Sequence, residues 1–181
     1  AKVTSMPSVV FSGEANTLAA VRAVTAGYPL RGELKTAPGL LADESVSREI
    51  PGPGEAWASP RLLARLGVDT GATLEVGAAR LRLTRVLTFR PDEGWSFVDL
   101  APTLLINLGD LESTRLVQPG SRVSYRMLFA GDRGDVERFK PLLEDRLEDG
   151  QNLSDIKDSS PQIRSSMERS GRFLNLASQV I

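Results

Sequence analysis

The sequence predicts a mixed α+β fold, and three observations carry that prediction. Residues 57–89 read as a short helix running into a β-hairpin. Residues 122–129 alternate apolar and polar side chains, as a half-buried strand does, and a helical pattern over 135–147 follows them. Ahead of both, residues 36–54 (including PGLLADESVSREIPGPG) have the composition of a long surface loop and of a boundary between two structural units.

The totals bound the function. At 181 residues the chain is one domain or two small ones, long enough for an ordinary core. Its 22 basic and 23 acidic residues nearly cancel, whereas a nucleic-acid protein carries a basic footprint. There is no histidine and no cysteine. That pair of absences removes zinc and iron–sulfur sites of the usual ligand sets, Ser-His-Asp and Cys-His nucleophiles, and imidazole acid–base chemistry. It also removes any disulfide, which leaves the redox compartment open. No run of about 18 apolar residues is present to span a bilayer, and no signal-peptide pattern is present. The chain opens inside what reads as a strand and stops on the apolar run Gln179-Val180-Ile181. The expectation is a piece of a longer protein.

In order along the chain, residues 2–11 read as a strand, with Pro7 restricting it to an edge or a bulge. A turn over 12–16 and a second strand over 17–24 make a hairpin. Residues 26–32 are irregular around Pro29. Within 36–54, Pro51-Gly52-Pro53-Gly54 lacks the Gly-Lys-Ser/Thr ending of a phosphate loop, and its prolines remove N–H groups that a phosphate needs. In the central unit, Ser59 is expected to cap the helix with its hydroxyl, and Pro60 to start it. Leu62, Leu63 and Leu66 give the helix its apolar face, and Gly67 stops it. Asp69-Thr70-Gly71 is a turn. Leu74 and Val76 share one face of the first hairpin arm, and Leu81, Leu83 and Arg85 share one face of the second, joined at Gly77-Ala78. Arg80, Arg82 and Arg85 read as a solvated face, with a nucleic-acid contact as the sharper reading.

Residues 90–99 form a loop bearing Trp95, Phe97 and Val98, either tucked onto the core or exposed as a contact for a greasy ligand or partner. Residues 101–108 are a short buried element. Residues 109–114 are a capped turn, and Gln118-Pro119-Gly120-Ser121 is a type II-like turn. The strand that follows places Val123, Tyr125, Met127 and Phe129 toward a core. Asp135 caps the next helix, Pro141 interrupts it, and Leu153 and Ile156 would close a β-α-β unit. Glu144, Asp145, Glu148 and Asp149 cluster on a helix end, without the spacing of a cation loop. Residues 160–181 read as a helix that turns from polar to apolar. It is either packed on the core or a stalk rising to a bilayer, with Arg169 and Arg172 at headgroup level.

Three stretches, AGYPLRGEL at 26–34, ASPRLLARLGVDTGATLEVG from Ala58, and LVQPGSRVSYRMLFAG with the later SMERSGRFLNLAS, together resemble a known family. They resemble the large extracytoplasmic loop of YbbP-type ABC-transporter permeases, within the MacB/LolC/FtsX superfamily. The likeness runs over essentially the whole chain. QPGSRV and the SMERSxxFLxLxS exit are the more specific parts. The resemblance implies a permease with four transmembrane helices, this domain lying between the first and the second, outside the inner membrane. It implies a porter-like β-α-β subdomain over 1–36 and 121–160, whose first β-α element lies upstream of Ala1. It further implies an inserted β-rich, sabre-like subdomain over 37–120, and a stalk helix over 161–181. Met167, Arg169, Arg172, Phe173 and Leu174 would be membrane-proximal, and Trp95, Phe97 and Val98 would contact partner or cargo. The implied role is non-catalytic: mechanotransmission and docking for export or extraction of hydrophobic or lipid-linked cargo. The implied partners are a cytoplasmic ABC ATPase, a second permease copy and an extracytoplasmic lipase/esterase-like hydrolase. No cofactor, metal, catalytic residue or nucleic acid is expected. The competing expectations are a soluble periplasmic binding or interaction module and a hydrolase working on carboxylates.

Overall fold

The computed structural model describes residues 1–92 and 101–154. Nine strands pair in one sheet: β1 (Lys2–Ser12), β2 (Ala15–Val24), β3 (Leu34–Ala37), β4 (Ser45–Ser47), β5 (Glu55–Ala58), β6 (Thr73–Val76), β7 (Ala79–Phe89), β8 (Thr103–Asn107) and β9 (Ser124–Met127). The α-helices among the described residues are α1 (Pro60–Leu66), the single turn α2 (Leu111–Thr114) and α3 (Arg133–Glu144). The chain divides into two compact units, Ala1–Ala130 and a second beginning at Gly131. The mixed α+β prediction holds, with the sheet dominating.

Six strands of the first unit close into a ring. β1 and β2 form the predicted hairpin, in register from Val3 opposite Val24 to Ser12 opposite Ala15. β8 runs parallel to β2 on its other edge, β5 runs antiparallel to β8, and β7 runs parallel to β5. β6 pairs with β7 and also reaches β1, through Val76 opposite Val10 and Glu75 opposite Phe11. That last pairing closes the ring, which leaves these strands no long open edge. β3 and β4 extend from the far end of β7, and β9 from the start of β1. The ring therefore draws strands from both 1–36 and 37–120.

A narrow barrel needs small side chains inside, and this sequence supplies them. Ala19, Ala23, Ala56 and Ala58 share the interior with Met6, Val10, Val21, Leu74, Val76, Leu81, Leu83, Leu104 and Ile106. From α1, Leu62, Leu63 and Leu66 join the same cluster, as their spacing predicted. Burying each leucine contributes roughly 1.5–3 kcal/mol. A second apolar cluster covers other side chains of the same strands: Val3, Val24, Leu105 and Trp57, with Tyr28, Leu34 and Leu87. Ala19, Val21 and Ala23 of β2 enter the first cluster, while Ala20, Arg22 and Val24 are buried on its other face, so its second half is covered on both sides.

Pro7 sits where its missing N–H costs least. Ala1 exchanges bonds with Leu128 on the β9 side, while Lys2 O accepts from Thr25 on the β2 side. By the two-residue alternation, Pro7 points its nitrogen to the first of these edges. There it falls between the β9 pairing, which ends at Ser5, and the β6 pairing, which starts at Val10.

Several local expectations change. Ser59 occupies the N-cap position but its hydroxyl does not cap α1. It accepts instead from the Thr103 N–H at 3.0 Å, tying the helix start to β8. The left-handed stop at Gly67 (φ 66°) is as predicted. Arg85 does not share the inner face of Leu81 and Leu83. The register of β7 against β5 shifts after Leu83, so Leu83 and Val86 both enter the core and Arg85 faces outward. The loop predicted over 36–54 holds the end of β3 and all of β4; three residues are too few to show a period. Of the residues expected to face a core after the 118–121 turn, Val123 packs against the barrel core, whereas Tyr125, Met127 and Phe129 are 67%, 58% and 49% exposed. Among the described residues β9 is paired on its β1 edge only, and all four of its own residues are exposed.

In the second unit α3 starts at Arg133, with Asp132 rather than Asp135 in the cap position, and ends at Glu144 rather than Leu147. Pro141 lies inside it. The return strand expected around Leu153 and Ile156 reaches beyond the described residues. Among the described residues no helix is long and apolar enough to cross a membrane.

Candidate functional site

Two arrangements of side chains stand out, both in the first unit. One is a buried polar anchor. Arg22 lies on β2 and Arg90 just after β7, and both residues are nearly inaccessible, at 5% and 2%. Their guanidinium groups converge on Asp92: Arg22 Nη1 donates to Oδ2 at 3.0 Å and Arg90 Nη1 to Oδ1 at 3.2 Å. The Tyr28 hydroxyl donates to the same Oδ1 at 2.6 Å. Tyr28 packs its ring into the second apolar cluster and spends its polar end on this carboxylate. Burial, then the negative charge of Asp92 and its hydrogen bond, push the Tyr28 phenol well above its ordinary value. It stays protonated and acts as a donor. The chemistry is that of a rivet, joining the segment after β2 and the end of β7 to the barrel wall.

The other arrangement is a cleft of about 580 Å³ at the edge of the barrel. Leu108, Leu111, Val117 and Tyr125 line it with apolar surface; Glu112, Arg115 and Gln118 supply the polar groups. The segment from α2 to β9 that forms it is held by specific bonds. Asn107 Oδ1 accepts from the Gly109 N–H at 2.9 Å and starts the turn. Thr114 O accepts from the Ala78 N–H at 2.8 Å, docking the end of α2 on the β6–β7 turn. Contact there is so close that a Cβ on Gly77 would lie 2.1 Å from Thr114 O. Arg115 then turns the chain at φ 53°, left-handed and costly for a residue with a Cβ. The Gln118 side-chain amide donates to Arg115 O at 3.0 Å, and Ser121 Oγ donates to Leu116 O at 3.1 Å while accepting from the Gln118 N–H at 3.0 Å.

The sequence-predicted sites fare differently. Trp95, Phe97 and Val98, and the stalk residues Met167, Arg169, Arg172, Phe173 and Leu174, lie outside the described residues. Of the three arginines on the outer side of β7, two are neutralised by acidic neighbours. Arg80 pairs with Glu75 at 3.0 Å. Arg85 pairs with Glu49 at 3.2 Å and sits 5.3 Å from the centre of the Trp57 ring. Arg82 is exposed. In the Pro51–Gly54 segment, the Gly52 and Gly54 N–H groups donate to the carboxylates of Glu55 and Asp110, at 3.2 and 2.9 Å. Glu144, Asp145, Glu148 and Asp149 are all exposed, and no group of acidic residues among the described ones could hold a metal ion.

Sequence reasoning missed both arrangements. A signal for the first existed: Arg22 interrupts an apolar strand, and a charge there needs a partner. The cleft left no such trace, because its walls come from a turn, a loop and an edge strand.

No family model matches the chain. Over 176 residues it is 34% identical to the ABC transporter permease YbbP of Escherichia coli (strain K12), an alignment covering 97% of this chain and 21% of that protein. The chain thus spans about a fifth of that relative's length. Two solved structures are similar at lower identity. A domain of a permease protein from Porphyromonas gingivalis has a TM-score of 0.48 and 13% identity, covering 92% of this chain and 80% of that one. The periplasmic region of MacB from Actinobacillus actinomycetemcomitans has a TM-score of 0.46 and 14% identity, covering 81% and 66%.

Proposed function

Starting from the likeness to YbbP-type ABC transporter permeases, which bears out the resemblance read from the sequence, we propose that this chain is the extracytoplasmic domain of such a permease, on the periplasmic side of the inner membrane. The single observation that carries the proposal is 34% identity sustained over 97% of the chain. In this reading the domain catalyses nothing. It transmits movement driven by a cytoplasmic ABC ATPase and docks hydrophobic or lipid-linked cargo. Residues 161–181 serve as the stalk to the next membrane helix. Trp95, Phe97 and Val98 contact cargo or an extracytoplasmic lipase/esterase-like hydrolase, and a second permease copy completes the assembly.

The test uses the full-length permease in membranes. Co-purification with an ABC ATPase is expected, together with cleavage of this domain by protease added from the periplasmic side only. A domain cleaved only from the cytoplasmic side, or a permease that recovers no ATPase, would sink the reading. Replacing Trp95 and Phe97 with alanine is expected to weaken partner binding or cargo release. If both persist unchanged, those residues are not the contact.

A further inference from the structure

We propose that the cleft beside α2 binds a single-chain aliphatic carboxylate, with its head on Arg115 and its chain along Leu108, Leu111, Val117 and Tyr125. Nothing in the transport reading assigns a site here, and this inference goes beyond it.

Three observations converge. The first is size and lining: about 580 Å³ falls within the range of sites for small ligands, and the walls are chiefly aliphatic and aromatic. Tyr125 and Val117 remain 67% and 42% exposed, so the surface that a chain would cover is open among the described residues. The second is charge. No described side chain forms an ion pair with the Arg115 guanidinium, whose planar fork matches a carboxylate. Glu112 lines the same cleft and sets the limit on ligand charge: a single negative group is tolerated on the Arg115 side, and a doubly charged phosphate is repelled. The third is backbone strain. Arg115 is the only non-glycine described residue with positive φ, at 53°. Glycine would adopt that conformation without penalty. The neighbouring bonds from Ala78, Gln118 and Ser121 hold the loop in place. The fold thus carries a cationic side chain at a strained position on the rim of an apolar cleft, in a segment already ordered before any ligand arrives.

The experiment is calorimetric titration of the chain, at low salt and below micelle concentration, with laurate and with dodecyltrimethylammonium. Laurate is expected to bind and the cation, with the same chain, to bind at least about tenfold more weakly. Arg115→Gly is expected to weaken laurate about tenfold while the melting temperature holds or rises by about 3 °C, since the strain is relieved. Arg115→Lys keeps the charge but loses the planar fork, and is expected to bind laurate more weakly than the wild type and more tightly than Arg115→Gly. Glu112→Gln removes the like charge and tightens laurate several-fold. No laurate binding, equal binding of the two amphiphiles, or an Arg115→Gly variant that binds as before would each overturn the proposal. None of these outcomes touches the permease reading, which stands or falls on ATPase co-purification and membrane sidedness.

Discussion

β2 and β9 both pair with β1, and their fates are opposite. From Ala19 to Val24 every residue of β2 is buried, and both edges there are paired, to β1 and to β8. All four residues of β9 are exposed, and among the described residues only its β1 edge is paired. Yet β9 has the cleaner alternation in sequence, while β2 reads as a continuous apolar run broken by one arginine. Alternation marks a strand with two unlike faces, and does not say that either face is covered. A continuous run marks a strand covered on both sides, as in sheets enclosed by other layers. Even Arg22 obeys that rule, because the side that would be solvent in an open sheet here holds Asp92.

This contrast can be broken by substitution. The largest effect is expected next to β2: Ile106→Ala on β8, fully buried in the barrel, should cost about 4 kcal/mol in a urea unfolding series. Asp92→Ala comes next. It takes the shared carboxylate from two nearly inaccessible arginines, and a loss of about 3 kcal/mol is expected, at the low end for a broken buried pair because Asp92 is itself 32% exposed. Tyr28→Phe should cost about 2 kcal/mol at neutral pH, the value of a buried hydrogen bond to a charged acceptor.

Tyr28 also carries a pH signature. The folded state holds the phenol proton above its ordinary value, so the unfolded chain ionises first. The stability this preserves is complete below about pH 10 and is lost as pH rises further. Alkaline melts of the wild type should therefore fall faster than those of Tyr28→Phe. Equal slopes would show that the burial of Tyr28 is not what limits alkaline stability.

The smallest effect is expected on β9, where Tyr125→Ser and Met127→Ser should each shift stability of the chain by no more than about 0.5 kcal/mol. A loss of several kcal/mol would mean that this face is covered after all, and β9 would then resemble β2.

Much of the local structure was legible in the residues. The β1–β2 hairpin, the helix from Pro60 to its stop at Gly67, and the β6–β7 hairpin all follow from period, capping position and turn chemistry. The misses have a common cause. The cap position marks Ser59 as a cap because that signal is local, but Thr103 competes for its hydroxyl from 44 residues away. Two-residue alternation, being local, carries Arg85 onto the face of Leu81 and Leu83, but pairing with β5 shifts the register at Leu83 and leaves it on the solvated side. Neither candidate site was read from the sequence: Arg22 carries a signal, a charge inside an apolar strand, whereas Arg115 looks ordinary until its backbone is seen.

By itself the sequence determined the mixed α+β class, the apolar stripe of α1 and the absence of imidazole and thiol chemistry. Its motifs also determined the resemblance to YbbP-type permeases. These depend on residue type and short spacing, which a chain carries before it folds. The tertiary structure alone decided that six strands close on themselves, that Asp92 gathers Arg22, Arg90 and Tyr28, and that Leu111, Arg115 and Tyr125 border one cleft. Each of these joins segments far apart in the chain, which spacing cannot bring together. Strand order and register set them, and those are fixed by which faces and edges find partners when the whole core forms.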